Sequence, residues 1–224
     1  MCNPKMDQRP LIQLKLRSAN NTDSVTTNKR IDLTEDGQSY VKYIRLPSSF
    51  PVVNFNTLWE CHPSEYGKVK IFGQEYATPR WQQSYLRDYK FSGMHHESLP
   101  LPECLTEIFE SVVKTYDNRL NGVLINWYNE THYIGYHSDD ESNLLKSSGI
   151  YCITYMENVQ KSRRFLLQCK KTKTVKELEL EHNSMVIMGG STQQTHKHSI
   201  PKLRKCDGHP GRRISVTFRV FQDD

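Results

Sequence analysis

The chain has 224 residues, 36% of them hydrophobic, with a formal net charge of +5, a pI near 8.8 and a mean hydropathy of −0.70. That length suits one sizeable domain. No apolar run approaches the ~20 residues that cross a bilayer, and residues 1–30 lack the apolar core of a secretory leader, so a membrane role is not expected. The basic balance favours a polyanionic partner. Arg163-Arg164, Lys170-Lys171-x-Lys173, Lys202 to Lys205 and Arg212 are candidates for the contact, although most such runs are merely solvated faces. Six cysteines without a Cys-x-x-Cys pair read as free thiols in a reducing compartment. Cys206-x-x-His209 has no second pair to complete a structural zinc site and reads as a polar loop.

In chain order, residues 1–30 lack apolar periodicity and predict a flexible tail, within which Leu11 to Leu16 reads as a frayed segment or a short docking peptide. Residues 31–224 form one domain, in which 31–67 pack outside the core as a support and 68–93 form a lid. Leu105, Ile108, Phe109, Val112, Val113 and Tyr116 recur at helical spacing, so Pro102 to Leu120 predicts an amphipathic helix backing a sheet. Strand-like runs follow at 123–128, 133–137, 150–155, 164–169, 175–180, 184–188 and 213–221, punctuated by Asn183-Ser184, Gly189-Gly190 and Pro210-Gly211. The expected class is mainly β with flanking helices, a double-stranded β-helix or jelly roll whose core spans 120–221.

The polar residues of the second half carry the chemistry. His137-x-Asp139 and a later His198 supply two imidazoles and a carboxylate, the facial triad that leaves positions open on iron(II) for oxygen chemistry. With nine His and 25 acidic residues, chance alone places about one His-x-acid pair in such a chain, and this one has two. Context separates them. His95-x-Glu97 sits in a loop setting before a helix, whereas His137 ends a strand-like run. In Arg213 to Arg219, residues 213, 215, 217 and 219 share one face of a strand, and Ile214, Val216 and Phe218 share the other. Two guanidiniums bracketing Ser215 and Thr217 suit a dicarboxylate, because the guanidinium fork matches a carboxylate bidentately. Asn126 and Tyr128 likewise share a face. Taken singly, these strands read as ordinary half-exposed strands; together they suggest an iron- and 2-oxoglutarate-dependent oxygenase.

The order Asn126-x-Tyr128, His137-x-Asp139-Asp140-Glu141, Met188-Gly189-Gly190, His198-Ser199-Ile200-Pro201 and Arg213-x5-Arg219 resembles the AlkB family of nucleic-acid dealkylases, from about Lys68 to Phe221. The resemblance implies that His137, Asp139 and His198 bind Fe(II). It further implies that Arg213 and Tyr128 hold the distal carboxylate of 2-oxoglutarate, with Arg219 and Asn126 near the carboxylate at the metal and Ser215 and Thr217 between them. O2 would complete the cofactor set. Two departures stand out. The family usually has Asn where this chain has Ser215, and the loop from His198 to Arg213 is long. His196 is two residues from His198 and shares its face, but the His-Ser-Ile-Pro context favours His198. Arg212 is out of phase with Arg219 and is expected to face solvent.

Residues 68–93 resemble the DNA-repair branch, whose short apolar hairpin wedges into the duplex while the target base is flipped out. Phe72, in Ile71-Phe72-Gly73, is the candidate wedge; its plain alternative is a hairpin core residue. Arg80 is a further candidate contact. Tyr89, Phe91 and His137 would line the base pocket, with Asp140 and Glu141 suiting a cationic methylated base. The resemblance implies hydroxylation of the N-methyl group of 1-methyladenine or 3-methylcytosine and release of formaldehyde. Methylated DNA, in duplex form, is the expected partner of a monomeric enzyme, nuclear or nucleocytoplasmic if the host is eukaryotic. RNA or single-stranded DNA is the alternative substrate. A protein or small-molecule oxygenase of the same fold is a further alternative, and a non-catalytic nucleic-acid-binding module would need no intact triad.

Overall fold

The computed structural model describes residues 11–13, 28–91 and 94–222. The elements are β1 (Leu11–Gln13), β2 (Asn28–Asp32), β3 (Ser39–Arg45), α1 (Phe55–Trp59), β4 (Lys68–Ile71), β5 (Gln74–Ala77), β6 (Trp81–Tyr85), β7 (Tyr89–Phe91) and β8 (Met94–His96). A 3-10 turn at Glu103–Leu105 then leads into α2 (Thr106–Thr115). The chain continues through β9 (Gly122–Tyr128), β10 (Ile134–His137), β11 (Ile150–Met156), β12 (Ser162–Cys169), β13 (Val175–Glu181), β14 (Ser184–Gly190), α3 (Thr192–Thr195), β15 (His196–Ile200) and β16 (Arg213–Arg219).

From β9 onward the strands alternate between two sheets and then retrace their order. A 7-stranded sheet runs β2-β3-β14-β11-β16-β9-β6, and a 5-stranded sheet runs β1-β13-β12-β15-β10. The antiparallel pairs are nested: β9 with β16, β10 with β15, β11 with β14 and β12 with β13. This is the double-stranded β-helix that the run of short strands suggested.

Strict alternation assigns every side chain of the larger sheet to one of two faces. Val123, Ile125, Trp127, Ile153, Tyr155, Ile214, Val216 and Phe218 pack with Leu58, Leu105, Ile108 and Val112 of the helical layer. The indole of Trp127 donates to the Leu58 carbonyl at 2.8 Å, which ties α1 to the sheet. The opposite face meets the smaller sheet through Leu124, Phe165, Leu167, Leu178, Leu180, Val186 and Met188. Both faces are therefore covered, and β9 and β16 are buried along their whole length. The plain alternative of ordinary half-exposed strands holds for neither of them.

The boundaries differ from the sequence reading in places. The α-helix ends at Thr115 rather than near Leu120, and Asp117 and Arg119 close the following turn with hydrogen bonds of their own. Leu11–Gln13 and Asn28–Arg30 lie in strands, the first parallel to β13 and the second antiparallel to β3. The rest of 1–27 lies outside the described residues. Residues 39–45 do not simply cover the core: β3 pairs with β14 through seven registered positions and is part of the larger sheet. Gly190 has φ +59, and a Cβ there would collide with the Gln38 carbonyl, so the turn after β14 needs glycine.

Ile153 is fully buried between the larger sheet and the helices, whereas Val52 is 75% exposed. Ile153→Ala is expected to cost about 2–5 kcal/mol, read as a lower denaturation midpoint, and Val52→Ala to change it by less than ~0.5 kcal/mol.

Candidate metal and co-substrate site

The register of the smaller sheet brings the two histidines together. His137 and His198 are direct partners across β10 and β15, with ring centroids 4.1 Å apart. Asp139 lies two residues beyond His137. Its Oδ1 lies 3.6 Å from Nε2 of His137 and 3.8 Å from Nε2 of His198. One ligand atom from each of the three residues falls within a 4.8 Å cluster, the only such group of three among the described residues. His95 instead pairs with Asp88 at 2.9 Å, and His196 Nδ1 meets the Thr195 hydroxyl at 2.8 Å, so neither belongs to the cluster.

The protonation states suit a metal. Burial, with the neighbouring His137, pushes His198 down to about 3, so its imidazole is neutral and its lone pair available. Burial also lowers His137. Its Nδ1 lies 2.9 Å from the Gly135 carbonyl, and a proton placed there leaves Nε2 free to coordinate. Burial alone would raise Asp139, but the Arg219 guanidinium, by its charge and its hydrogen bond, outweighs it and holds the carboxyl below its ordinary range. Arg219 Nη2 donates to Asp139 Oδ2 at 2.7 Å, with each side chain 3% exposed. One carboxylate oxygen is thus tied to the guanidinium while the other faces both imidazoles.

A cavity of about 620 Å³, counted with its open mouth, extends from this cluster between the sheets. Arg213, Ser215, Thr217 and Arg219 line it together, as their shared strand face predicted, beside Asn126 and Tyr128 of the neighbouring β9 and facing His198 of the smaller sheet. Arg213 is 2% exposed and donates to the Thr154 hydroxyl at 3.2 Å, with its guanidinium carbon 5.0 Å from the centre of the Tyr128 ring. Its Nε and Nη1 have no hydrogen-bond partner, and neither have Nε and Nη1 of Arg219. Buried cationic donors left unpaired are costly, and a dicarboxylate is the ligand that would satisfy both groups. The donor set therefore fits iron(II) with a 2-oxo diacid.

Other candidates sit differently from their sequence reading. Arg80 is buried and donates to Asn126 Oδ1 at 2.8 Å and to Gln82 Oε1 at 3.0 Å, because β6 pairs beside β9 and turns it inward. Arg212 lies outside the cavity, bound to Glu157 and stacked 4.6 Å over Trp59, so it is half-buried rather than free in solvent. Ser215 Oγ lies 3.0 Å from Cys152 Sγ. Cys152 lines this cavity and Thr154 accepts from Arg213 behind it; neither was singled out in the sequence, although both alternate with Ile153 on the inner face of β11.

The lid candidates separate into two regions. Phe72 is at the tip of the β4–β5 hairpin, fully exposed, with φ +49 followed by Gly73 at +80. Two successive positive φ values form the type I′ turn that joins adjacent strands, and they hold Phe72 out of any core. Tyr89 is buried, and its hydroxyl donates to Glu141 Oε1 at 2.6 Å. Burial raises the Glu141 carboxyl, with Arg219 opposing, and Oε2 has no partner. Asp140 is exposed beside it, and Asp139, Asp140 and Glu141 line a second cavity next to the first. Phe91 ends β7, and its side chain lies outside the described residues.

Residues 60–219 match the 2OG-Fe(II) oxygenase superfamily. The chain is 30% identical over 164 residues to mouse DNA oxidative demethylase ALKBH2, covering 68% of this chain and 66% of the mouse protein. At 29% identity it covers 60% of the human protein of that name, so it spans less than two thirds of these relatives. It is also 27% identical over 159 residues to an RNA replication protein of Grapevine virus A, covering 71% of this chain and 8% of that protein. Among solved structures, a 2OG-Fe(II) oxygenase family oxidoreductase from Burkholderia pseudomallei shares the fold, with a TM-score of 0.50 at 14% identity over 75% of this chain and 78% of that one. The paired histidines, the carboxylate between them and the arginine-lined cavity thus lie within a matched stretch of 160 residues, and the chain belongs to the AlkB-like part of the 2OG-Fe(II) oxygenase superfamily, whose cofactors are iron(II), 2-oxoglutarate and O2.

Proposed function

We propose that the protein is an oxidative demethylase of N-methylated bases, 1-methyladenine and 3-methylcytosine, acting as a monomer on DNA and preferring the duplex. One observation carries the duplex preference: a fully exposed aromatic ring, Phe72, on a hairpin tip whose turn geometry keeps it from packing inward. Reaching a stacked base for chemistry requires flipping it out, and an apolar side chain inserted into the stack fills the gap. The DNA oxidative demethylases among the relatives support the same substrate class. In this reading 68–93 form the lid, 120–221 the catalytic core, and a nuclear location follows in a eukaryotic host.

The residues divide the work. His137, Asp139 and His198 would hold the iron, which when bound with 2-oxoglutarate and O2 supplies the oxidising power that hydroxylates the N-methyl group. Arg219 holds Asp139 in the orientation that presents Oδ1 to the metal position. Arg213 and Tyr128 would take the distal carboxylate, Asn126 and Arg219 would sit by the other end, and the hydroxyls of Ser215 and Thr217 lie between them. Arg80 orients Asn126 and lines the same cavity, where it stays a candidate substrate contact. Tyr89 and His137 flank the position for the flipped base, with Phe91 adjacent in β7. Asp140 and Glu141 would favour the cationic ring of the lesion over its neutral product. The hydroxymethyl adduct then releases formaldehyde.

An RNA substrate is the second reading, favoured by the similarity to viral RNA replication proteins. The same site would serve it, but the Phe72 wedge would be dispensable.

Asp139→Ala is expected to abolish iron- and 2-oxoglutarate-dependent turnover, and full turnover in that variant would reject the ligand assignment. Arg213→Met should raise the apparent KM for 2-oxoglutarate by roughly thirtyfold or more, the cost of losing one partner of a buried charged contact. Demethylation of one 1-methyladenine oligonucleotide, single-stranded and annealed, separates the substrates. Phe72→Ala should lose roughly tenfold on the duplex and little on the single strand, on the scale of one lost stacking contact. Equal activity of mutant and wild type with a single-strand preference would favour RNA or single-stranded DNA.

A further inference from the structure

Arg163 is a buried cation to which the site as described gives no task. It is 4% exposed and stands on the inner face of β12 with Phe165 and Leu167. Its Nη2 donates to the carbonyl oxygens of His132 at 3.0 Å and Pro201 at 3.1 Å, joining the turn after β9 to the segment after β15. Among the described residues no carboxylate pairs with it. The acids that act on it from a distance are engaged elsewhere, Asp207 by Arg164 and Arg204 and Glu130 by His209.

Arg163 and Arg213 occupy the same end of the space between the sheets. Leu167 is the strand partner of His198, and Arg163 lies four residues away from it, about 13 Å along β12 at the usual rise per residue. On β16, Arg213 is at the end remote from Arg219, which holds the metal-site carboxylate. Burial first, and the charge of Arg213 second, bring Arg163 down to about 10. Two buried guanidiniums at one end, one bound only to neutral carbonyls and the other with two unpaired nitrogens, leave an excess of positive charge there that an anion on Arg213 would offset.

We infer that Arg163 is a positioning residue for the far carboxylate of the co-substrate, adding a second positive charge behind Arg213 and so selecting a dicarboxylic 2-oxo acid over one with a neutral far end. Arg163 does not line the cavity and acts from behind its wall, through its field and through the two loops it braces. This rests on reading the cavity as the 2-oxoglutarate site.

The test is calorimetric titration of the full chain loaded with manganese(II), without turnover, using 2-oxoglutarate and its distal monoamide as probes, in wild type, Arg163→Lys and Arg163→Met. With Arg163→Met, binding of the diacid should weaken roughly tenfold, the size of one charge interaction at the intermediate dielectric of a protein. Arg163→Lys, which keeps the charge, should stay within about threefold of wild type, and the monoamide should bind all three proteins alike. Equal losses with Lys and Met on both probes would make Arg163 a structural staple and overturn the inference, and so would wild-type affinity in Arg163→Met. A wild-type protein that binds neither probe would overturn the co-substrate reading itself, and this inference with it.

Discussion

The contact between Arg219 and Asp139 is the constraint on which the site depends. It joins β16 of the larger sheet to Asp139, two residues past the end of β10 in the smaller one, at 2.7 Å and out of solvent. Both groups are charged, since the guanidinium lowers the carboxyl while the carboxyl raises the guanidinium. Burying such a pair yields little net stability, because desolvation of the two ions offsets most of their attraction, whereas removing one partner costs about 3–5 kcal/mol. The pair is better understood as a device for orientation. With one oxygen of Asp139 committed to Arg219, only Oδ1 faces the histidines, and the ligand geometry is set before any metal arrives.

The remainder of the cavity, with the wall behind it, is organised around positive charge in excess. Arg213, Arg219 and Arg163 are all buried, yet Asp139 is the one acid that forms an ion pair with any of them among the described residues. A cavity of this kind is unfavourable when it holds only water and favourable when it holds an anion with two charged ends. The same imbalance explains why the small polar side chains matter. Ser215, Thr217, Thr154 and Cys152 leave room for a ligand while keeping a polar wall, where larger apolar residues on those strand positions would have closed the two sheets on each other.

Residues 68–91 combine an exposed hairpin tip with a buried tyrosine at the cavity. The I′ turn at Phe72-Gly73 has both central residues at positive φ, so the exposed ring is displayed by the backbone and not left over from packing. Behind it, Tyr89 contacts Glu141 through its hydroxyl and Arg219 through its ring, 5.1 Å away. The residues proposed to meet the base are therefore mechanically continuous with those that orient the metal ligand.

Much of this was legible in the chain. Period-two alternation in Arg213 to Arg219 placed four polar residues on one face, and all four line the cavity. His137-x-Asp139 with His198 named the three residues that cluster, and the helical spacing of Leu105, Ile108 and Val112 named the buried face of α2. These properties are local, following from the geometry of one strand or one helix. What pairs with what was not local. That β6 lies beside β9, so that Arg80 binds Asn126 at the wall of the cavity, is a fact of strand order. So is the placing of Arg163 and Arg213 at one end of the space between the sheets, since the two belong to different sheets and only packing sets one against the other. Sequence by itself determined which side chains share a face. The tertiary structure decided which faces meet, because sheet pairing and packing join residues far apart in the chain.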